Sequence, residues 1–172
     1  ALILSALHFR HSNAPKRGCT EIFISKQPPW ISKKIPDMEK AFEFLKANKG
    51  VAFATVEDGK PKIRVFEIMK QQGNTLYFVT APGKEVYRQL QANPNVEILA
   101  MKENIFVRIA GRAVFDVDDA TAREIYAANP VLPRLYKAYT DLVYFRLPVV
   151  SLDYYDLTPT PPLQEHYDYE QE

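Results

Sequence analysis

Apolar residues near the start of the regularly patterned part of this chain follow the spacing of a helix. Met38, Phe42 and Leu45 are three or four positions apart, which is typical of a helix with one buried face. Asp37 can cap this helix, and the Asn-Lys-Gly run at 48–50 predicts its end. The pattern therefore predicts one short helix directly before the segments described next.

Strand-like segments follow this helix closely, and most of them are short. The longest has small or apolar residues at every second position from 105 to 115, as in a strand with one buried face. An Asp58-Gly59 pair predicts a tight hairpin turn. The predicted strands are 51–57, 62–70, 75–80, 96–101, 105–117, 142–147 and 150–157, and the later helices are 84–93, 119–128 and a short one near 132–139. Many short antiparallel strands with few helices favour a closed or partly closed β-barrel over a doubly wound sheet.

Regular patterning covers only the middle of the chain. Residues 1–37 mix apolar positions with charges and show no sustained period, so we interpret them as an N-terminal extension or arm. Residues 38–157 then form one domain, which we expect to fold without that arm. Residues 158–172 contain prolines, acidic residues and the tyrosine pair Tyr167 and Tyr169. We interpret them as a C-terminal tail on the surface, with that pair disordered.

Composition excludes several classes of function. The net charge of +1 gives no overall attraction to nucleic acid or to an acidic membrane, and no apolar run reaches the roughly 20 residues that span a bilayer. The single cysteine, Cys19, excludes an intrachain disulfide and a cysteine-ligated zinc site, and it is typical of a cytoplasmic protein. His8, His11 and His166 lie in the two predicted arms with no further ligand at metal-binding spacing inside the domain, so we predict no metal site. Because no Ser-His-Asp, Cys-His or paired-carboxylate arrangement is present, no catalytic residue is assigned.

Chemistry-bearing residues concentrate in the segment that follows the first hairpin. Lys62 and Arg64 share one face of a predicted strand, and a guanidinium can bind a phosphate through two parallel hydrogen bonds. Thr80 ends the following strand, and Lys84 lies at the start of a short helix, whose free backbone N–H groups attract anions. Two cations, a hydroxyl and a helix N-terminus thus meet at one end of two neighbouring strands, which suits a phosphate. The alternatives are a strand face with solvated cations and an ordinary helix cap.

Five short runs stand in a characteristic order along the chain. They are 59–66 (GKPKIRVF), 76–80 (LYFVT) with Lys84, 89–90 (QL), 92–94 (ANP) with Val96, and 107–113 (VRIAGRA). In order and spacing they resemble the pyridoxamine 5'-phosphate oxidase-like family of FMN-binding split barrels, over roughly residues 38–157. The resemblance implies a mainly β (α+β) fold, a six-stranded antiparallel split β-barrel with flanking helices. It also implies a homodimer with one FMN in each of two clefts between the subunits.

The resemblance assigns expected roles to residues of the phosphate segment. Arg64 corresponds to an arginine at the flavin phosphate and ribityl chain, and Val65 and Phe66 would lend backbone groups to the isoalloxazine edge. Thr80 corresponds to the hydroxyl that binds the phosphate. Lys84 corresponds to the polar or basic residue at the start of the next helix.

Two further residues are expected to act across the dimer. Phe106 and Arg108 lie on the strand that, in this family, reaches the flavin of the partner subunit. The alternative for Phe106 is a core or interface aromatic. A cation near the pyrimidine side of the ring would stabilise the reduced, anionic flavin, and Lys62 and the partner's Arg108 are the candidates.

The chain departs from the oxidase itself at two places. Where the oxidase has a Ser-Arg-Lys cluster after the threonine, this chain has KEV at 84–86. Its C-terminal end also lacks the Trp and Arg signature that closes the oxidase's substrate site. The sequence therefore predicts an FMN-dependent oxidoreductase of this family, and it identifies neither the substrate nor the electron donor.

Two alternative functions stay open at this point. One is a non-catalytic protein that binds or stores flavin, or that holds deazaflavin or haem. Haem would want an axial histidine, and His166 is the one histidine on the C-terminal side. The other is a purely structural dimer, in which Glu67 or Glu85 would engage Arg64 and Lys84.

Overall fold

The structure is a computed structural model, and it describes residues 38–169. In chain order the elements are α1 (Met38–Ala47), β1 (Gly50–Glu57), β2 (Lys60–Glu67), β3 (Lys70–Gln72), β4 (Thr75–Thr80), α2 (Glu85–Ala92), β5 (Asn95–Lys102), β6 (Ile105–Arg112), α3 (Asp119–Ala128), α4 (Val131–Leu135), a 3-10 turn (Tyr139–Asp141), β7 (Val143–Asp156) and β8 (Leu163–Asp168). The predicted hairpin between β1 and β2 is confirmed. Its turn residues Asp58 and Gly59 both have positive φ, 51° and 70°, as a two-residue hairpin turn requires.

The strands form one antiparallel sheet in the order β2-β1-β5-β6-β7-β4-β3, with β8 added to β7. Strand β7 is long enough to serve two neighbours in succession. Its first half, from Val143 to Pro148, pairs with β4, and its second half pairs with β6 and β8. The sheet therefore changes partners within one strand, which lets it curl.

The two ends of this sheet are parts of one bent strand. Only Ile68 and Met69 separate β2 from β3. The Ile68 N–H donates to the Lys49 carbonyl oxygen (2.9 Å), and the Met69 N–H donates to the Tyr77 carbonyl oxygen (2.9 Å). The backbone thus bonds to the β1 side at Ile68 and to β4 at Met69, and this change of partner joins the two ends of the sheet. With β2 and β3 counted together, the predicted six-stranded split barrel is confirmed, and β8 is an addition to it.

Aromatic side chains fill the centre of the barrel. Phe53 packs against Phe66 (ring centroids 4.6 Å apart) and against Phe78 (5.3 Å), and Phe78 stacks on Phe145 (5.6 Å). Helix α2 packs on this core through its buried residues, among them Leu90. A second apolar cluster lies beneath α3 and α4 and contains Val79, Ile125, Leu132 and Leu142.

Gly111 marks a close approach between β6 and β7. The register between these strands shifts at Ala110 and Gly111. A Cβ on Gly111 would lie 2.6 Å from the Pro148 carbonyl oxygen and 2.8 Å from Leu147 Cδ1, closer than atoms can approach without displacement. The bulge and the missing side chain let β7 bend here, between its two sets of partners.

Several predicted boundaries differ from the observed ones. The single strand predicted at 62–70 is divided into β2 and β3, and the strand predicted at 105–117 ends at Arg112. The two strands predicted on either side of Pro148 are one continuous β7. The short helix predicted near 132–139 is α4 followed by a 3-10 turn.

The C-terminal segment also differs from its prediction. We expected residues 158–172 to be a surface tail with a disordered tyrosine pair, but Leu163–Asp168 form β8. Tyr167 is 6% exposed and belongs to the core. His166, which we placed in an arm, lies inside the strand framework. The prediction failed because the prolines at 159, 161 and 162 indicated a loop, and the short strand that follows them pairs back onto β7.

Two points remain, one on the N-terminal residues and one on the helices. The predicted N-terminal arm at 1–37, with Cys19, His8 and His11, lies outside the described residues. Among the helices of residues 38–169, none has the length and apolar character needed to cross a membrane.

Candidate functional site

Along strand β2, the predicted site residues alternate between the two faces of the sheet. Lys62, Arg64 and Phe66 are half-buried, and we call their side of the sheet the inner face. Ile63 and Val65 point the other way and are 73% and 82% exposed. We call that side the outer face. β2 stands at one end of the sheet path, so the backbone groups on its outward side have no strand partner among residues 38–169, and Val65 and Phe66 lie on this edge strand.

Arg64 extends a buried row of side chains that crosses the sheet. It lies directly opposite Phe53, and the row continues through Ile98, Ile109 and Leu152. Residues directly opposite each other in antiparallel strands share a face, and these four apolar residues are 1% exposed or less. An arginine at the end of such a row must find polar partners for its guanidinium.

Those partners are Thr55 of β1 and Gln89 of α2. Arg64 Nη1 donates to Thr55 Oγ1 (2.6 Å), and Arg64 Nη2 donates to Gln89 Oε1 (2.6 Å). Thr55 Oγ1 in turn donates to Gln89 Oε1 (2.7 Å), which closes a triangle. Longer contacts run from Arg64 Nη1 to the carbonyl oxygens of Lys62 (3.3 Å) and Phe53 (3.4 Å). The guanidinium is therefore held against α2 by neutral acceptors.

Lys62 has a different environment from Arg64. Lys62 Nζ lies 3.5 Å from Glu57 Oε2, and Arg88 Nη2 lies 2.5 Å from Glu57 Oε1. Gln89 Nε2 also donates to Glu57 Oε2 (3.3 Å). Two cations thus share one carboxylate, and Lys62 is less available to an anion than Arg64.

Arg64 contacts α2 at Gln89, the fifth residue of that helix. The carboxylate of Glu85, the first residue of α2, acts electrostatically on Arg64. Lys84 is the N-cap residue, is exposed, and makes no side-chain hydrogen bond or ion pair within the described part of the chain; no side chain caps α2. Thr80 ends β4 and is 7% exposed. The structure therefore joins Arg64 to α2 at Gln89, and no hydrogen bond or ion pair among residues 38–169 joins Arg64 to Thr80 or Lys84.

Arg64 differs from most other arginines of residues 38–169 in that it has no carboxylate partner. Arg88, Arg108 and Arg146 each form an ion pair with a carboxylate, whereas Arg64 forms none with any residue of 38–169. Burial lowers the pKa of Arg64 from its ordinary value, and the carboxylates of Glu85 and Glu57 oppose this shift at longer range. A half-buried guanidinium held by neutral groups retains its charge for an anionic ligand.

The outer face carries the remaining predicted residues. A row of directly paired residues runs across it from Val65 through Ala52 and Leu99 to Arg108. Phe106 lies two residues from Arg108 and stacks on Tyr155 (ring centroids 4.5 Å apart, 17° between planes). Phe106 and Arg108 therefore lie on the face of the sheet opposite to the Arg64 triangle. Within one protomer the structure does not bring the two groups together.

Arg108 belongs to a polar network across three strands. Its Nε and Nη2 donate to Asp153 Oδ2 (2.9 and 2.8 Å), and His166 Nδ1 lies 2.6 Å from Asp153 Oδ1. His166 Nε2 lies 3.2 Å from Asp168 Oδ1. Burial by itself raises the pKa of Asp153, but hydrogen bonds from His166 and Arg108 lower it overall. The hydrogen bond to Asp153 raises the pKa of His166. No group of three His, Cys, Asp or Glu side chains in residues 38–169 could hold a metal ion.

Sequence reasoning gave no site role to Thr55, Gln89 or Asp153, and it considered His166 only as a candidate haem ligand. Gln89 was used only as part of the 89–90 run, although it interrupts the buried stripe of α2 between Val86 and Leu90, which marks it as a buried polar side chain. Asp153 similarly interrupts the apolar pattern of β7. The place of His166 in the network could not be recognised because its strand was not predicted.

A groove of about 510 Å³ also opens on the outer face. Its lining includes Ala54, Val56, Pro61, Glu97 and Arg112. None of the eight residues predicted for the cofactor lines it. Thr55 of the Arg64 triangle also belongs to its lining, whereas Arg64 and Gln89 do not.

Comparison with solved structures shows the same fold in several proteins. A NimC/NimA family protein from Clostridium acetobutylicum is 24% identical, with a TM-score of 0.62 over 77% of this chain and 92% of that one. A pyridoxamine 5'-phosphate oxidase-related, FMN-binding protein from Nostoc punctiforme is 19% identical, with a TM-score of 0.60 over 84% of this chain and 93% of that one. A heme-binding protein from Mycobacterium smegmatis is 19% identical, with a TM-score of 0.61 over 77% of this chain and 58% of that one.

Sequence comparison gives the family. No curated protein sequence matches the chain. The family profile described as pyridoxamine 5'-phosphate oxidase matches residues 38–150, which is more than half of the chain and contains both β2 and the start of α2. The chain therefore belongs to the pyridoxamine 5'-phosphate oxidase-like family.

Proposed function

We propose that the protein binds FMN as a homodimer and acts as a flavin-dependent oxidoreductase. The observation that carries this proposal is the Arg64 guanidinium, which is held by Thr55 and by Gln89 of α2 without a carboxylate partner among residues 38–169. A half-buried cation that the protein itself does not neutralise favours a bound anion. The FMN-binding relative from Nostoc punctiforme shares the fold, which supports a flavin phosphate as that anion.

The donor set fits a phosphate dianion. The Nε–H of Arg64 and one Nη2 proton make no hydrogen bond to a described residue, and together they can form the two-point contact that phosphate oxygens accept. The first-turn N–H groups of α2 lack a side-chain cap and add the positive end of the helix. Lys84 would supply a mobile ammonium, and Thr80 a hydroxyl at the end of β4. We therefore assign the phosphate to Arg64, Thr80, Lys84 and the α2 N-terminus.

The edge of β2 is the proposed contact for the flavin ring. Val65 and Phe66 would bind the isoalloxazine edge through backbone groups of this edge strand. The Phe66 side chain is not available for this purpose, because it packs against Phe53. Bound FMN would supply the hydride or electron transfer, and the protein would bind the flavin, orient it and tune its potential. Lys62 and the partner's Arg108 remain the proposed cations near the pyrimidine side.

The outer face supports the homodimer. Large apolar side chains are exposed on it, including Ile63 (73%), Val65 (82%) and Met101 (69%). Contiguous exposed apolar surface of this kind marks an interaction site. A second copy of the chain on this face would cover these side chains, and would bring its own Phe106 and Arg108 to the first copy's flavin.

The visible spectrum and FMN affinity of the purified protein test the proposal. We expect the wild type to bind FMN with a yellow chromophore, and Arg64→Ala to lose at least about tenfold in affinity, because it removes a charged hydrogen-bond donor. Arg134→Ala is the matched control, since Arg134 is exposed on α4 and forms no ion pair within 38–169. A wild type that neither retains nor takes up FMN contradicts the proposal. Reduction of bound FMN by a nicotinamide donor separates an oxidoreductase from a flavin-storage protein.

A haem-binding function is the second candidate, and His166 is the observation that favours it. Its side chain is 53% exposed, and Asp153 holds its Nδ1, whereas its Nε2 lies 3.2 Å from Asp168 Oδ1, a contact that a haem iron would have to displace. A carboxylate on one ring nitrogen is the common arrangement for a histidine that binds a metal through the other. A heme-binding protein also shares the fold. A Soret band after haem addition, lost in His166→Ala, would support this candidate, whereas FMN uptake without a Soret band would reject it.

A further inference from the structure

Two buried polar side chains lie directly behind Arg64. Thr55 and Gln89 are both 2% exposed. Buried polar groups are costly unless they are paired, and here their partners are each other, Arg64 and, for Gln89, the Glu57 carboxylate. The side-chain partners of Thr55 are Arg64 and Gln89 alone among the described residues, so the guanidinium and the Gln89 amide explain why this buried position is polar.

The hydrogen bonds of this group run in one direction only. A guanidinium has no acceptor, so Arg64 must donate to both partners. The Thr55 hydroxyl accepts from Arg64 and therefore donates to Gln89 Oε1. The Gln89 amide nitrogen donates to the Glu57 carboxylate. The order Arg64, Thr55, Gln89, Glu57 fixes the orientation of every group, including that of the Gln89 amide.

This arrangement fixes the orientation of Arg64 without neutralising it. Thr55 and Gln89 engage Nη1 and one Nη2 proton and leave the Nε–H and the other Nη2 proton unused by described residues. Glu57, which carries a charge, binds Lys62 and Arg88 instead. We propose that Thr55 and Gln89 are positioning residues that hold the Arg64 guanidinium ready for the FMN phosphate. This inference rests on the FMN-binding function proposed above.

Comparison of FMN with riboflavin tests the inference, because riboflavin lacks the phosphate. We expect Thr55→Val, which keeps the shape and removes the hydroxyl, to weaken FMN binding about tenfold, the typical effect of losing one hydrogen bond to a charged group. Riboflavin affinity should stay within about twofold, since the ring contacts are unchanged. Thr55→Ser keeps the hydroxyl and should bind both ligands within about twofold of the wild type. Gln89→Met should repeat the result of Thr55→Val.

A second measurement uses the ligand-free protein. In ¹⁵N NMR spectra of the arginine side chains, the wild-type Arg64 should show restricted rotation about the Nε–Cζ bond, with separate Nη signals. Thr55→Val should release this rotation, and Thr55→Ser should retain it. Arg134, which is exposed, serves as the freely rotating reference within the same spectrum.

The outcomes separate this inference from the proposed function. Equal losses of FMN and riboflavin affinity in Thr55→Val would show a general structural role and overturn the inference. Unchanged FMN affinity in Thr55→Val, together with free rotation of the Arg64 side chain in the wild type, would also overturn the inference. If the wild type binds FMN, Arg64→Ala does not, and Thr55→Val is unaffected, the inference alone fails. If the wild type binds neither ligand, the proposed function fails and the inference with it.

Discussion

The substitution Ile63→Asp tests whether the outer face is a dimer interface. Ile63 is 73% exposed in the single chain and contributes little to its core. Full burial of such a side chain contributes about 1.5–3 kcal/mol, so covering its exposed part contributes roughly 1–2 kcal/mol. In a twofold-symmetric dimer the contact occurs twice, and the sum of about 2–4 kcal/mol corresponds to a 30- to 1,000-fold weaker dimer. Desolvation of the new carboxylate adds to this loss.

Analytical ultracentrifugation over a range of concentrations measures the dissociation constant directly. Leu135→Asp is the matched control, because Leu135 is 63% exposed and lies on α4 rather than on β1, β2, β5 or β6. We expect the control to dimerise as the wild type does. Ile63→Asp should instead be a folded monomer at micromolar concentration, with a far-UV circular dichroism spectrum like that of the wild type. An unchanged dissociation constant for Ile63→Asp, or a wild type that is monomeric at about 100 μM, where even a weak specific dimer would form, would refute the reasoning.

The remaining predictions concern stability. Gly111→Ala should lower the free energy of unfolding by about 1–3 kcal/mol, because its Cβ would collide with the Pro148 carbonyl oxygen; urea unfolding measures this, and Gly50→Ala, with nothing within 4 Å of the new Cβ, should leave the midpoint nearly unchanged. His166 has a folded-state pKa above its ordinary value of 6.5, so its contribution is fully present below that ordinary value and is lost as pH rises through the folded pKa. Because the side chain is half exposed, we expect a change of only about 0.5 kcal/mol, seen as a fall in melting temperature above neutral pH that His166→Gln lacks. Removal of the buried Phe53 ring in Phe53→Ala should cost about 3–5 kcal/mol, against about 1–2 kcal/mol for Phe53→Leu, by the same urea assay.

Local patterns predicted the elements that depend on local signals. β4 was predicted with its observed bounds, and the Asp58-Gly59 turn fixed the β1–β2 hairpin. The division between β2 and β3 could not be read from the sequence, because it arises where the chain exchanges one strand partner for another. Pro148 was interpreted as a break, yet β7 continues through it, since the strand changes partners at that point. β8 was missed for the same reason, because only its pairing with β7 orders it.

The candidate site likewise contains some residues that local patterns identify and others that only the packing of distant segments brings together. Arg64 and Lys84 were identified from their positions relative to a strand end and a helix start, which are local features. Thr55 and Gln89 are 34 positions apart, and only the packing of α2 against β1 brings them to Arg64. The network of Arg108, Asp153 and His166 depends on the register of three strands, and no short-range pattern contains that information.

The bent strand that joins the two ends of the barrel has a consequence for how the protein is assembled during synthesis. The proposed phosphate site draws all its residues from the contiguous segment 50–92, which contains the hairpins on both sides of that bend. The outer face is built from strands as late as β8, and the barrel cannot close until β7 has emerged and paired with β4. We therefore expect the cofactor-binding half to gain native contacts early, while the ability to pair with a second copy is acquired only when the chain is nearly complete.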